Sequence, residues 1–285
     1  MKILVTGSYG QLGRSLFKRR IKSTEILWTG KNIPSGERGI YLDILDRKNL
    51  RKLVKLYSPD IIINLAALTD VDLCEKNPFL ACEINTIGVK NICENFSGKI
   101  IQISTDYVFN GEKGPYSEDD QVEPLSAYGV TKLEAEKIVM SHCSGNLILR
   151  GNVLYNYDTQ SKASFLSWVV NSLKRKIPIK VVNDQINNPT WTESMAKTIF
   201  SCIESNINGI FHWGDAEFLS RYKFALKIAR NYKLDPNLIS PILTKELNQI
   251  APRPLSSGLK SDKLLKVLDI YQPSINECLE KIIRN

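Results

Sequence analysis

The sequence predicts an α/β protein: a Rossmann-type doubly wound parallel sheet with helices on both faces, and a smaller mixed C-terminal substrate lobe. Three observations carry this reading. The chain opens on an apolar strand, residues 2–6, which runs straight into Gly7-Ser-Tyr-Gly10-Gln11-Leu12-Gly13. Short, mostly apolar runs then recur at 61–63, 100–103 and 147–150, separated by stretches of helix formers. The run at 100–103 ends in Ser104-Thr105-Asp106, which places hydroxyls where a parallel strand opens onto a ligand crevice.

The elements follow in order. Gly7 permits a tight turn, Gly10 lets backbone approach a pyrophosphate, and Gly13 lets the following helix, 14–20, pack on the strand. Free N–H groups at that helix start suit phosphate. A second strand, 25–29, leads to Thr29-Gly30-Lys31-Asn32. A carboxylate near this point would bind the ribose of NAD; Lys31 instead suits a 2′-phosphate, so NADPH is the expected cofactor, with NADH the alternative. A solvated loop lysine is an equal reading. A short strand and turn at 41–46 offers Asp43 and Ile44 to the adenine edge, while Asp46 caps a helix over 49–57.

The next strand exits through Asn64-Leu-Ala66-Ala67, small enough for a cofactor to lie on the backbone. A polar loop begins at Thr69. Pro78 starts a helix that continues over 81–95, with Asn85 turned inward to bond neighbouring backbone. Further on come a strand at 147–150, a polar loop at 156–162 and an apolar helix at 165–173. A strand at 177–182 precedes a turn-rich loop at 183–190. A helix at 191–205 returns to the first domain, followed by a strand at 209–213 and helices at 220–231 and 261–268, with Ser220 as a cap. The expected division is a dinucleotide-binding domain over 1–153, with 178–205 folding back onto it, and a substrate lobe from 154–177 and 206–285.

Composition narrows the class. Hydrophobic residues form 43% and charged residues 24%, an ordinary globular balance. The net charge of +8 is spread over short clusters, so no nucleic-acid module is expected. The six cysteines are scattered without a C-x-x-C pair, and the two histidines are isolated. That pattern suits free thiols in a reducing cytoplasm, with no metal site and no disulfide frame. No run is apolar enough to span a membrane, and no secretory leader is evident.

The chemistry gathers at Thr105, Tyr128 and Lys132. Tyr128 and Lys132, four residues apart, share a helix face. Hydride transfer at a carbinol carbon requires proton transfer at the oxygen. A phenol can supply the proton, though its ordinary pKa is about 10. A neighbouring ammonium is expected to lower that value. The Thr105 hydroxyl can fix a carbonyl oxygen. Y-x-x-x-K alone is common helix decoration; behind a glycine turn and an S-T-D strand end it points to catalysis.

The set G-Q-L-G, S-T-D-Y-V-F, Y-G-V-T-K, N-D-Q-x-x-x-P-T and R-P-x-x-S-x-L, at residues 10–13, 104–109, 128–132, 183–190 and 253–259, resembles dTDP-4-dehydrorhamnose reductases among the extended short-chain dehydrogenases/reductases. The resemblance implies reduction of the 4-keto group of a dTDP-linked deoxysugar by NADH or NADPH, with Thr105, Tyr128 and Lys132 as the catalytic trio. It implies that Tyr128 protonates the sugar oxygen, that Lys132 binds the nicotinamide ribose, and that Asp106 touches the sugar. Cofactor contacts are implied at Gly10 to Leu12, Asp43-Ile44, Ala66-Ala67 and Thr69.

Two departures are visible. The family's R-T-S-W-V-Y reads Arg150-Gly-Asn-Val153-Leu-Tyr155 here, so Val153 stands where a tryptophan flanks the sugar. Ser15 stands where some members carry a metal-binding glutamate, so no metal-bridged dimer is expected, although a homodimer remains compatible. Arg253 has two readings: a bidentate partner for a nucleotide diphosphate, or a salt bridge holding the C-terminal lobe. Tyr107 follows Asp106 where sugar 4,6-dehydratases carry a second acid, which disfavours dehydration. A nucleotide-sugar epimerase with tightly bound NAD and a non-catalytic NADP-binding regulatory subunit are the rival readings.

Overall fold

The computed structural model describes residues 1–19, 23–157 and 164–284. The strands in chain order are β1 (Lys2–Thr6), β2 (Glu25–Gly30), β3 (Ile40–Tyr41), β4 (Ile61–Asn64), β5 (Lys99–Thr105) and β6 (Leu147–Gly151), then the short β7 (Leu154–Tyr155), β8 (Ile179–Val182), β9 (Ile186–Asn187) and β10 (Thr190–Trp191), and finally β11 (Gly209–His212), β12 (Leu219–Ser220) and β13 (Ile239–Ile242). The helices are α1 (Gln11–Phe17), α2 (Arg47–Tyr57), α3 (Val71–Lys76), α4 (Pro78–Cys82), α5 (Gly88–Asn95), α6 (Ala127–His142), α7 (Phe165–Lys174), α8 (Thr192–Glu204), α9 (Arg221–Asn231), α10 (Asp262–Val267) and α11 (Ile275–Arg284).

Seven strands form one all-parallel sheet in the order β11-β6-β5-β4-β1-β2-β3. Side-chain alternation explains why both faces are covered. Ile3, Val5, Ile61, Ile63, Ile101, Leu147 and Leu149 pack on one face with Leu16 of α1 and Met195 and Ile199 of α8. Leu4, Ile62, Ile100 and Ile148 point the other way, onto Leu50 of α2, Ile92 of α5 and Val139 of α6. The chain runs outward in one direction from β1 and in the other from β4. A crevice therefore opens between their carboxyl ends, where ligands of such sheets bind.

A second core holds the small lobe, with Leu166 and Val170 of α7, Val181 of β8, Phe224 and Ile228 of α9, and Cys278 and Leu279 of α11 packed together. The lobe boundaries differ from the sequence expectation. β8 pairs with β13 inside the small lobe, so the returning segment is α8 alone. β11 joins the edge of the main sheet, and Leu264 and Leu268 from the α10 region pack against its core. Long-range pairing overrode linear order here.

Local chemistry accounts for most boundaries. Asp46 accepts from the Asn49 N–H at 3.0 Å, so the helix begins at Arg47, two residues before its expected start. Asn77 accepts from the Leu80 N–H, with Pro78 as the first helical residue. The long helix expected over 81–95 is interrupted by a π-turn at Glu83–Ile87. Asn85, within that turn, accepts from the Leu68 N–H at 2.8 Å and donates to the Leu68 carbonyl at 3.1 Å, as its inward placement predicted. Ser220 caps α9 through the Lys223 N–H. The segment after Thr69, expected as loop, contains α3, capped by Asp70. Most of the loop expected at 156–162, and Arg20 at the end of the first expected helix, lie outside the described residues. No helix among the described residues is long and apolar enough to cross a membrane.

One buried ion pair ties the sheet to α6. Arg150 donates from Nε and Nη2 to both oxygens of Glu136, at 2.9 and 2.7 Å, and each side chain is 3% exposed. His212 Nε2 lies 3.2 Å from the Arg150 guanidinium, and its other ring nitrogen lies 3.2 Å from the Tyr116 carbonyl. Burial and the Arg150 charge push the His212 imidazole down to about 3, which makes it a neutral structural group. Removing one partner of a buried pair strands the other charge, at about 3–5 kcal/mol. Glu136→Ala is therefore expected to lower the unfolding free energy by about that amount in chemical denaturation; a loss below about 1 kcal/mol would show that the pair does not anchor the helix.

Candidate active site

The crevice is a cavity of about 760 Å³. Its first wall is the glycine turn. Gly7 has φ of +63°, and a Cβ there would sit 2.6 Å from the Ala66 nitrogen. A Cβ on Gly13 would lie 2.0 Å from the Ser8 carbonyl oxygen, so α1 can approach the turn only without one. Ser8 is itself locked: its hydroxyl donates to the Val5 carbonyl and accepts from the Thr29 N–H. Gly10 differs, because a Cβ there meets nothing nearer than the Gly7 carbonyl at 3.5 Å. Its missing side chain leaves room on the cavity side. Gln11 and Leu12 complete this wall, and the buried Gln11 Oε1 has no hydrogen-bond partner.

Lys31, Asp43 and Ile44 line one end. Lys31 Nζ and Asp43 Oδ2 pair at 2.8 Å, so the two groups assigned from sequence to different parts of a dinucleotide hold each other. Burial is the largest single influence and works to raise the Asp43 carboxyl, but the Lys31 bond, the Leu45 N–H and the Lys31 charge together outweigh it and the pKa falls below the usual value. Lys31 remains mostly exposed and free to turn to another anion. Ala66, Ala67 and Thr69 form the floor.

At the other end lie Ser104, Thr105, Asp106, Tyr107, Tyr128 and Lys132. Ser126 caps α6 through the Gly129 N–H, which starts the helix early enough to carry Tyr128 as well as Lys132. The Tyr128 phenol is within hydrogen-bonding reach of the Thr105 hydroxyl. Thr105 Oγ1 donates to Asp106 Oδ1 at 3.1 Å, and the Ser257 hydroxyl donates to the other oxygen of Asp106. Lys132 Nζ donates to the Ile103 carbonyl at 2.6 Å. Buried Ser104 Oγ has no partner. The cradle and these orphaned polar atoms fit a dinucleotide along the glycine turn and an oxygen-bearing substrate beside Thr105.

The electrostatics differ from expectation in one respect. Burial raises the Tyr128 phenol well above its ordinary value, where a lysine-depressed value was expected. The Thr105 bond works the other way but is smaller. Lys132 is itself pushed down to about 8 by burial, with Glu136 one turn further along α6 opposing the shift. Asp106 is raised to about 6 by burial, against its bonds to Ser257 and Thr105.

Of the predicted site residues, Arg253 alone does not line the cavity. Its Nη2 donates to Asp72 at 3.0 Å, and the same carboxylate accepts from the Ala251 N–H. That is the lobe-holding salt bridge of its two readings. Val153 lines the cavity with φ of +42°, a conformation that costs a β-branched residue about 1–3 kcal/mol. Ser15 bonds Thr192 across α1 and α8 at 2.7 Å. Sequence reasoning missed Arg221, at the start of α9 and in the cavity wall, because nothing in its neighbourhood marks a site. It also gave no role to Ser257, whose motif position was visible.

A family profile described as the RmlD substrate binding domain matches residues 1–285. The chain belongs to this family, that of the dTDP-4-dehydrorhamnose reductases. A crystal structure of a dTDP-4-dehydrorhamnose reductase from Clostridium acetobutylicum is similar at 36% identity and TM-score 0.90, covering 100% of this chain and 99% of that one. A dTDP-4-dehydrorhamnose reductase from Bacillus anthracis in complex with NADP is similar at 30% identity and TM-score 0.91, covering 99% and 98%. The methionine adenosyltransferase 2 subunit beta of Xenopus tropicalis is 30% identical over 93% of this chain and 82% of its own length.

The glycines separate binding from packing. Gly10→Ala is expected to keep the parent stability within about 0.5 kcal/mol and to weaken binding of a nicotinamide dinucleotide at least about tenfold. Gly13→Ala should cost about 1–3 kcal/mol through overpacking. Equal effects of the two substitutions on dinucleotide titration and thermal melting would contradict this division.

Proposed function

We propose that the chain is an NADPH-dependent, or NADH-dependent, reductase of the 4-keto group of a nucleotide-activated deoxysugar, with dTDP-4-dehydrorhamnose the first substrate to test. The observation that carries the reading is the meeting of Thr105, Tyr128 and Lys132 at one end of a cavity whose other end is the glycine turn. The B. anthracis relative that holds NADP supports the cofactor. A nicotinamide bound along the turn supplies the hydride.

The protein supplies position and a proton. Thr105 holds the carbonyl oxygen by hydrogen bonding, beside the Tyr128 phenol. The raised pKa of Tyr128 keeps it protonated at neutral pH, so a proton is in place for the oxygen as it gains negative charge. With the hydride on carbon and this proton on oxygen, the ketone becomes a secondary alcohol and Tyr128 is left as phenolate. The buried Lys132 ammonium, fixed by the Ile103 carbonyl, favours that anion once it forms, and its remaining donors would hold the ribose of a bound nicotinamide dinucleotide. Asp106, held by Ser257 and Thr105, offers an acceptor to a sugar hydroxyl.

Two rivals keep the same fold. An epimerase would return its reducing equivalents, whereas a reductase consumes NADPH stoichiometrically with sugar. The likeness to a methionine adenosyltransferase beta subunit supports a regulatory role as second reading. The intact trio weighs against it, since a purely binding descendant has no need of a phenol and an ammonium at this point.

Tyr128→Phe is expected to lower kcat about 10²–10⁴-fold with dinucleotide affinity retained; unchanged turnover in an NADPH-coupled assay would remove Tyr128 from the mechanism. The pH profile of reduction should fall on the alkaline side with a midpoint near 8, as Lys132 loses its charge. A rate that stays flat from pH 7 to about 9.5, below the ordinary lysine pKa, would mean that the ammonium is not required.

A further inference from the structure

Among the described residues, Arg221 is the one guanidinium in the cavity wall. Its N–H donates to the Gln185 carbonyl at 3.1 Å, which fixes the start of α9 beside β9. Its side chain passes over the Phe165 ring, with Cζ 5.4 Å from the ring centroid. Among the described residues the guanidinium has neither an ion pair nor a hydrogen bond, although it carries five donors. Burial lowers its pKa from the usual arginine value, and the Arg253 charge adds to the effect. Arg253 has spent one arm on Asp72, and its buried Nη1 has no partner. Guanidinium donors are thus left unused on this side of the site. A folded protein rarely leaves such groups unsatisfied except where a ligand completes them.

We propose that Arg221, rather than Arg253, binds the diphosphate of the nucleotide sugar, with Arg253 serving as a latch between the lobes. The proposal rests on the nucleotide-sugar reading of the cavity and names its anion site. Planar paired donors match a diphosphate oxygen pair. Asp106 decides where along the substrate the anion lies. Its carboxylate is in electrostatic range of Arg221 and is bonded to Thr105, the carbonyl-holding residue. It would repel a charged substituent on the ring at Thr105. The negative group therefore lies on the far side of Arg221, toward the small lobe that carries α9. This also explains how the chain tolerates Arg253 bound to Asp72: the ion pair and the Ala251 N–H on the same carboxylate close the lobe against α3, while the anion is met elsewhere.

Calorimetric titration of the full chain with dTDP, UDP and UDP-glucuronate tests this. Arg221→Met is expected to weaken dTDP about ten- to a hundredfold, with NADPH affinity unchanged and Arg221→Lys recovering part of the loss. Thermal melting of both variants establishes that they are folded. Unchanged dTDP affinity in folded Arg221→Met overturns the proposal. A loss confined to UDP-glucuronate also overturns it, because the anion would then be a sugar carboxylate. A parent protein that binds none of the three overturns the nucleotide-sugar reading itself, which separates the two failures.

Discussion

Helix α6 meets the sheet through two buried charges on one stripe, and the site depends on that docking. Lys132 donates to the Ile103 carbonyl, and Glu136, four residues on, takes both arms of Arg150 from β6. Tyr128 lies four residues earlier on the same face. The phenol is thus positioned by two interactions it does not itself make. Each buried charge costs desolvation, and each is met by a partner of good geometry, so the helix has one favourable register against β5 and β6.

A second polar layer crosses the carboxyl ends of the strands. Thr6 donates to Asn64, Asn64 donates to Gln102 at 2.7 Å, and Gln102 donates to the Ile103 carbonyl that Lys132 also uses. These side chains lie where the parallel strands end, just above the apolar core. They join β1, β4 and β5 to α6 beneath the cavity. A site lined in this way is largely preformed, which limits the reorganisation required during a reaction.

The lobes are closed by contacts of a different kind. Asp72 on α3 holds Arg253 and Ala251, and Asp106 holds Ser257. Asn188 accepts from the Leu259 N–H and donates to the Leu259 carbonyl, so the N-D-Q-x-x-x-P-T and R-P-x-x-S-x-L segments fasten to each other. Motifs visible in the chain as markers of resemblance thus act here mainly as tethers. Arg253 took the lobe-holding reading of its two, but an arginine between two prolines gives no sign in the sequence that Asp72 is the acid it reaches.

Short apolar runs marked most strands of the sheet, and the glycine turn and the Tyr128–Lys132 spacing pointed to the crevice that the structure shows. These features are local, so they are written in neighbouring residues. Tertiary structure decided what depends on distant groups. β11 reached the main sheet and β8 the small one through pairing partners far along the chain. The direction of the Tyr128 shift followed from burial, and spacing to a lysine says nothing about desolvation. Arg221 entered the cavity because α9 begins against Gln185, a contact between segments that no window of sequence contains.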